Sequence, residues 1–148
     1  MQYQFDNGSR VPVAVVHCLD WRFVQQTWKF ITKELGVLFF TPYSFPGGPK
    51  VFLDLETRNV FLRVLETVSI GHHGIQQVIL IGHRDCKAYG GSARFGSPEE
   101  ERETHERDLR IARDVITRKF PGVMVDLFYM EIVSMAGGEG KVEPQQVK

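Results

Sequence analysis

Residues 11–22 read VPVAVVHCLDWR, and residues 77–86 read QVILIGHRDC. Each stretch begins with a short apolar run of the kind that forms a buried strand, and each ends in polar side chains. Because the carboxyl ends of parallel strands meet at one edge of an open sheet, where binding crevices form, we expect the two polar ends to lie close together. The sequence therefore predicts a functional site built from two strand ends.

These polar ends carry the ligands that zinc prefers in proteins. Cys18 follows the first run, and His83 and Cys86 follow the second, so together they offer two sulfurs and one imidazole. Zinc takes about four such ligands at roughly 2.0–2.3 Å, and a His-x-x-Cys pair can turn both side chains onto one ion. A disulfide between the two cysteines is the alternative, but in a reducing compartment such cysteines more often bind metal or perform chemistry.

The paired motifs resemble the signature of the beta-class carbonic anhydrases, which is Cys-x-Asp-x-Arg after the first strand and His-x-x-Cys after a later one. The resemblance spans roughly residues 11–135. It implies that Cys18, His83 and Cys86 hold Zn²⁺ as the cofactor. Because two anionic thiolates make zinc a weaker Lewis acid than three histidines would, we expect activity to rise toward alkaline pH.

The same resemblance implies that Asp20 and Arg22 are catalytic and form a dyad facing the fourth position of the metal. The implied reaction is the reversible hydration of carbon dioxide to bicarbonate and a proton through zinc-bound hydroxide, which makes the protein a zinc lyase (carbonate dehydratase). If Arg22 engages Asp20 in a bidentate pair, the carboxylate is held off the zinc; if the pair breaks, Asp20 can cap the metal. The family also builds its sites at a dimer interface, which implies a homodimer or a higher homo-oligomer.

Several features depart from the family signature. Trp21 stands where the family usually has a small serine, Lys87 replaces the glycine after the second cysteine, and residues 45–48 read FPGG in place of an Arg-Asn-Ala-Gly loop. These departures leave two alternatives open. One is hydrolysis of another heterocumulene, carbonyl sulfide or carbon disulfide, by the same nucleophile. The other is a non-catalytic zinc-stabilised binding or assembly module in which Asp20 caps the metal permanently.

Short apolar runs alternate with helix-length amphipathic stretches, which is typical of βαβ units. We therefore expect an α/β fold, a three-layer sandwich with a mostly parallel central sheet of about four or five strands. Residues 1–148 are expected to form a single domain that lacks the family's usual long N-terminal helical arm and ends in a flexible tail at about residues 136–148. Besides the motif strands, the predicted elements are strands at residues 37–41 and 123–130 and helices at about residues 24–35, 51–70 and 98–119.

Composition excludes two classes of partner. Eighteen basic and eighteen acidic residues cancel, so no overall field gathers nucleic acid or an anionic membrane. No apolar run reaches the roughly 18 residues that a membrane-spanning helix needs, and the first residues lack the pattern of a signal peptide. We expect a cytoplasmic protein that takes a small-molecule substrate and binds neither nucleic acid nor membranes.

Two local groups of charged residues are predicted to lie at the surface. The acidic run at residues 99–103 lies near the positive end of a helix dipole and is predicted to form a solvated helix face. The polar residues Arg84, Asp85 and Lys87 are predicted to form a surface loop.

Histidines and aromatic residues near the motifs are weaker candidates for function. Imidazole titrates near neutral pH, so four histidines are conceivable proton shuttles, although a structural role explains each of them better: His17, His72, His73 and His105. Carbon dioxide is apolar and needs a hydrophobic pocket, and five aromatic side chains lie near strand ends: Trp21, Phe23, Phe39, Phe45 and Tyr89. Because aromatic side chains ordinarily pack in the core, we expect most of these five to be buried.

Overall fold

The computed structural model describes residues 1–2, 5, 8, 10–136 and 139–148. Within them, five strands form one sheet; they are β1 Val13–Cys18, β2 Thr41–Phe45, β3 Gln77–His83, β4 Met124–Ala136 and β5 Glu139–Val147. The order across the sheet is β2-β1-β3-β4-β5. The first four strands pair in parallel, and β5 is antiparallel to β4, which confirms the predicted mostly parallel sheet. The predicted lack of an N-terminal arm rests partly on residues 3–4, 6–7 and 9, which lie outside the described residues.

Helices in the described part of the chain connect the parallel strands. They are α1 Trp21–Lys29, α2 Leu55–Val64 and α3 Pro98–Lys119, and the first two continue as π-helical segments at Phe30–Glu34 and Leu65–His73. Short 3₁₀ segments occupy Gly48–Phe52, Lys87–Tyr89 and Ser92–Arg94. None of the described helices combines the length and apolar character needed to cross a membrane.

Both faces of the sheet are covered, which explains why residues 13–16 of β1 and residues 78–82 of β3 are all apolar. On one face, Ala14 and Leu80 belong to a core formed with α2 and α3. On the other face, Val15 and Ile79 pack with Phe23 of α1. Parallel strands that are buried on both faces read as near-continuous hydrophobic runs. The predicted three-layer α/β sandwich is thereby confirmed.

The second strand lies later in the chain than predicted. The prediction of a strand at residues 37–41 is wrong, because β2 begins only at the last of these residues. Gly36 has a φ of 69° and ends the preceding helical segment, and the N–H of Val37 still donates to a carbonyl of that segment at 3.0 Å. Leu38 and Phe39 then stay exposed while the chain crosses to the edge of the sheet.

The segment predicted as a flexible tail instead forms a strand. The strand predicted at residues 123–130 runs on to Ala136, and β5 returns beside it. Pro144 lies in β5 opposite Met130. Because β5 is an edge strand, it accepts a proline that a central strand would not. Gly140 and Pro144, which suggested a tail, therefore belong to an edge strand. Residues 137–138 of the predicted tail lie outside the described residues.

The helix predicted at residues 51–70 begins later because Asp54 caps it. The side chain of Asp54 accepts hydrogen bonds from the N–H groups of Glu56 and Thr57 at 3.0 and 3.1 Å. These contacts satisfy N–H groups that have no partner inside a helix. The chain before this cap forms the separate 3₁₀ segment.

The helix predicted at residues 98–119 is confirmed at both ends. Ser97 caps it, because its Oγ accepts a hydrogen bond from the N–H of Glu100 at 3.2 Å. Pro98 occupies the first helical position, where its missing N–H costs nothing.

Replacing Val147 by alanine tests whether β5 is an ordered strand. Val147 is 5% exposed and packs in the core, so removing two methyl groups should lower the free energy of unfolding in urea by about 1.5 kcal/mol. Val133→Ala on β4 removes the same groups from a side chain that is 49% exposed and should cost less than about 0.5 kcal/mol. Equal, small losses in the two variants would contradict an ordered β5.

Candidate metal centre

Three buried side chains meet where β1 and β3 end. The ligand atoms of Cys18, His83 and Cys86 all lie within 4.8 Å of one another. The two strands pair in parallel with His17 opposite Ile81, so the chain leaves both strands at the same edge of the sheet. The structure therefore brings together the three residues that the two motifs predict as metal ligands.

The arrangement of these three residues fits zinc. The two Sγ atoms lie 3.8 Å apart, and two thiolates on a tetrahedral zinc at about 2.3 Å would be separated by about 3.8 Å. Nδ1 of His83 donates to the carbonyl of Arg84 at 2.8 Å, which leaves Nε2 as the unprotonated nitrogen. That Nε2 is buried and has no hydrogen-bond partner among the described residues. An imidazole whose other nitrogen donates to a carbonyl is the usual form of a histidine ligand.

A pair of glycines lets the loop after β2 pass directly beside Cys18. The N–H of Gly47 donates to Cys18 Sγ at 3.3 Å, a contact that stabilises a thiolate. Gly48 has a φ of 53°, and a Cβ at that position would lie 2.8 Å from the backbone nitrogen of Cys18 and 2.8 Å from the carbonyl carbon of His17. Only glycine fits this approach, which explains the FPGG sequence of the loop in structural terms.

The two cysteine side chains lie within hydrogen-bonding distance of each other, with 3.8 Å between their Sγ atoms. A hydrogen bond from Cys86 lowers the pKa of Cys18, against the opposite effect of burial. The same hydrogen bond and burial raise the pKa of Cys86. One thiolate is therefore already favoured in a site that would hold a dication.

Asp20 and Arg22 form a tight ion pair at the start of α1. Asp20 caps the helix, because its Oδ1 accepts from the backbone N–H of Arg22 at 3.1 Å. The guanidinium of Arg22 also donates from Nε to Oδ1 at 3.0 Å and from Nη2 to Oδ2 at 2.6 Å. These hydrogen bonds lower the pKa of Asp20. Both carboxylate oxygens are thus engaged by Arg22, which is the bidentate state of the two that the sequence leaves open.

Asp85 also contacts Arg22, and sequence reasoning missed this contact. Oδ2 of Asp85 accepts from Nη1 of Arg22 at 2.8 Å, and the carbonyl of Asp85 accepts from Nη2 at 3.0 Å. Asp85 lies in a turn and is half-buried, so the prediction of a surface loop holds for it only in part. Its contact with Arg22 joins residues 63 apart in sequence and depends on the adjacency of β1 and β3. The one signal in the sequence is an aspartate placed directly before Cys86.

Glu101 is buried, although the acidic run of α3 was expected to form a solvated face. It is 1% exposed, its Oε1 accepts from the N–H of Asp85 at 2.7 Å, and its Oε2 accepts from Ser92 Oγ at 2.7 Å. Nε of Arg84 lies 3.8 Å from Oε2. A buried carboxylate is stable when it is hydrogen-bonded and near a positive charge. The first turn of α3 therefore supports the turn that follows β3.

An open cleft of about 550 Å³ leads to Cys18 and the Asp20–Arg22 pair. Trp21 lines it and is 82% exposed, and the side chain of Lys87 lines the same cleft. Both residues depart from the family signature. The two departures therefore lie together at the entrance to the ligand cluster.

The histidines proposed as conceivable shuttles have structural surroundings. His17 is buried, its Nε2 accepts from the hydroxyl of Ser44 at 2.9 Å, and burial lowers the pKa of His17. His105 is buried with its ring centroid 4.1 Å from that of Tyr89, and burial lowers its pKa to about 4. Residues 72–73 end the π-helical segment after α2. The two buried imidazoles are therefore not tuned to exchange protons near neutral pH.

The aromatic residues near the motifs divide between packing and exposure. Phe23 is buried with its ring centroid 4.1 Å from that of His83, which restricts the orientation of the imidazole. Phe45 packs edge-on against Phe61 at 4.8 Å. Phe39 is exposed on the approach to β2. Of the five aromatic residues considered, Trp21 is the one that lines the cleft.

Comparisons with known proteins agree with this fold. A family model described as "Putative carbonic anhydrase" matches residues 9–137. The chain is 31% identical over 128 residues to an uncharacterized protein of Rickettsia bellii, covering 82% of this chain and 77% of that relative. It is 30% identical over 128 residues to an uncharacterized protein of Rickettsia conorii, covering 82% and 68%.

Among solved structures, a beta-carbonic anhydrase, isoform I of Trichomonas vaginalis, superimposes with a TM-score of 0.54 at 13% identity, covering 96% of this chain and 87% of that one. This likeness concerns the fold. The family match extends over most of the sequence, so the chain belongs to this carbonic anhydrase family.

Gly48→Ala should damage the metal centre and the fold together. The added Cβ would collide with the backbone of Cys18 and would sit at a positive φ, so we expect a loss of unfolding free energy of more than about 1 kcal/mol and weaker zinc binding. Urea denaturation and a competitive zinc titration measure the two effects. Gly122→Ala is the matched control, because a Cβ there meets nothing within 4 Å; a Gly48→Ala variant that behaves like this control would contradict the packing described above.

Proposed function

We propose that Cys18, His83 and Cys86 bind Zn²⁺ and that the protein catalyses the reversible hydration of carbon dioxide to bicarbonate and a proton. The observation that carries this proposal is the buried cluster of two thiols and one imidazole, in which Nε2 of His83 has no partner among the described residues. Membership of the carbonic anhydrase family supports the same chemistry. Structural sites close their ligand shell, whereas an open cleft beside three ligands suits catalysis.

Each ligand residue has a separate task in this proposal. Zinc would supply the Lewis acidity that makes water nucleophilic near neutral pH. Cys18 and Cys86 provide two negative charges that balance a divalent cation. His83 provides a neutral nitrogen, and its hydrogen bond to the carbonyl of Arg84 fixes the tautomer and the plane of the ring.

Asp20 and Arg22 act on the nucleophile from the side of the cleft. Because Arg22 engages both carboxylate oxygens, Asp20 stays ionised and is held away from the ligand cluster, where it can accept a hydrogen bond from the attacking water. The non-catalytic alternative requires Asp20 to leave this pair and bind the metal. The observed pairing therefore favours an enzyme over a closed structural site.

The entrance to the site has an apolar surface of the kind that carbon dioxide needs. The molecule is small, linear and apolar, so it needs a hydrophobic surface beside the nucleophile more than it needs polar anchors. Apolar residues supply such a surface in the cleft: Leu19, Trp21, Pro46 and Ala88. The positive charges of Arg22 and Lys87 in the same cleft would attract the bicarbonate product.

Hydrolysis of another heterocumulene is the second candidate function, and the cleft favours it. A volume of about 550 Å³ lined by Trp21 and Lys87 accepts linear substrates larger than carbon dioxide. Carbonyl sulfide and carbon disulfide are such substrates, and their polarisable sulfur would pack against an aromatic ring. A higher kcat/KM for carbonyl sulfide than for carbon dioxide would select this second function.

We also propose that the protein is a homodimer or a higher homo-oligomer. The outer edge of β2 has no strand partner within the described residues, and open edges of this kind tend to pair. Exposed apolar side chains flank this edge: Leu38, Phe39, Leu55 and Val60. A second copy of the chain would cover these side chains and complete the edge.

Stopped-flow measurement of carbon dioxide hydration by zinc-loaded protein tests the principal function. We expect activity that rises between about pH 7 and about pH 9, the range in which zinc-activated water ionises. His83→Ala should lose both zinc and activity, whereas His72→Ala makes the same change at an exposed imidazole and should keep both. Inactive wild-type protein that still binds zinc would reject carbon dioxide as the substrate.

Arg22→Ala should keep one zinc per chain and lose turnover. Without the guanidinium, Asp20 is free to reach the metal, so kcat/KM should fall by about tenfold to a hundredfold. Zinc analysis and stopped-flow rates measure the two properties, and Arg118→Ala, at an exposed position of α3, is the matched control. Unchanged turnover in Arg22→Ala would reject this role of the pair.

A further inference from the structure

Asp85 has a backbone conformation that specific contacts must hold. Its φ is 55°, and it is the one non-glycine residue with a positive φ in the described part of the chain. This left-handed region is unfavourable for residues with a side chain, although aspartate tolerates it better than most. The N–H of Asp85 donates to the buried Glu101 at 2.7 Å, and its carbonyl accepts from Arg22 at 3.0 Å. The turn between the two ligands of β3 is thus fixed from both sides.

The carboxylate of Asp85 is held as firmly as its backbone. Oδ1 accepts from the N–H of Ser92 at 2.9 Å and from Nζ of Lys87 at 3.0 Å. Oδ2 remains for Arg22, whose Nη1 donates to it at 2.8 Å. A fixed backbone donor therefore sets the direction in which Oδ2 faces the guanidinium.

Arg22 needs such a support, because its own side chain is long and partly exposed. An arginine side chain at the surface has many rotamers, and holding it in one of them costs conformational entropy. Asp20 holds one edge of the guanidinium, and Asp85 holds the other edge. The guanidinium is planar and rigid, so two carboxylates at different edges define its orientation completely.

We propose that Asp85 is a positioning residue that keeps Asp20 off the metal by fixing Arg22. This inference rests on the proposed function and extends it from a pair to a chain of three residues. Asp85 is neither a member of the ligand cluster nor one of the residues that line the cleft, so its contacts with Arg22 are what connect it to the Asp20–Arg22 pair. Without Asp85, Arg22 can turn away from the pair, and Asp20 is then free to reach the ligand cluster.

Two variants remove the carboxylate of Asp85 without straining the backbone of the turn. Asp85→Asn keeps the size of the side chain and tolerates a positive φ, and Asp85→Gly suits that φ without any side chain. Each is compared with Arg22→Ala and with the double variant Arg22→Ala/Asp85→Asn. Lys119→Ala is the control, because it removes an exposed lysine that pairs with Glu66 and does not line the cleft.

Thiocyanate binding to cobalt-substituted protein, followed by its visible absorption, reports on the position that Asp20 would occupy. Asp85→Asn and Asp85→Gly should each raise the thiocyanate Kd and lower kcat/KM for hydration by about tenfold to a hundredfold, with one metal per chain retained. Neither effect should be larger in the double variant than in Arg22→Ala alone, because Asp85 acts only through Arg22. Lys119→Ala should change both quantities by less than about threefold, as expected for an exposed ion pair.

A third readout needs neither metal nor substrate. In metal-free protein, the NMR signal of the Arg22 Nε–H should exchange with solvent faster in Asp85→Asn and Asp85→Gly than in wild type, and Lys119→Ala should leave its exchange unchanged. Unchanged exchange and unchanged thiocyanate Kd in both Asp85 variants would overturn the positioning role. Effects of Asp85→Asn and Arg22→Ala that multiply in the double variant would overturn it as well.

The outcomes distinguish this inference from the proposed function. If the thiocyanate Kd and the Nε–H exchange change as expected but no variant, wild type included, hydrates carbon dioxide, the positioning role stands and the substrate is wrong. If wild-type protein hydrates carbon dioxide and the Asp85 variants match it, the function stands and the positioning role is wrong.

Discussion

The parallel pairing of β1 with β3 is the constraint on which the rest of the structure depends. Val13–His17 pairs with Gln77–Ile81, so the two strands end together and Cys18 comes to lie beside the chain that continues to His83 and Cys86. A slip of one residue would turn every side chain of a strand to the opposite face. Burial of both faces in two apolar cores prevents such a slip. The same contacts that stabilise the sheet therefore set the geometry of the ligand cluster.

The placement of charged side chains around the ligand cluster depends on helices from both faces of the sheet. A row of alternating charges runs through Lys87, Asp85, Arg22 and Asp20, with successive ion-pair distances of 3.0, 2.8 and 2.6 Å. Arg22 lies between two carboxylates, and its charge offsets the repulsion that they would exert on each other and on the thiols. The start of α1 provides Asp20 and Arg22, and the start of α3 provides the buried Glu101 behind the turn. The site is thus a product of all three layers.

Much of this arrangement follows from local sequence patterns, and the remainder depends on long-range packing. The meeting of Cys18, His83 and Cys86 could be predicted because two apolar runs end in ligands and parallel strands end at one edge. Asp85 and Glu101 could not, because their contacts join residues 63 and 16 apart and because an acidic helix start ordinarily faces solvent. The errors in β2 and β5 concern edge strands, whose boundaries are decided by a neighbouring strand more than by their own composition. Asp54 was missed as a helix cap although aspartate is among the preferred cap residues.

Zinc K-edge X-ray absorption of protein reconstituted with one zinc per chain tests the central claim most directly, because it counts the sulfur ligands that the two strand ends contribute. A centre formed by Cys18, His83 and Cys86 predicts two sulfur ligands at about 2.3 Å and two nitrogen or oxygen ligands at about 2.0–2.1 Å. A spectrum with one sulfur ligand or none would contradict a zinc site built from both strand ends.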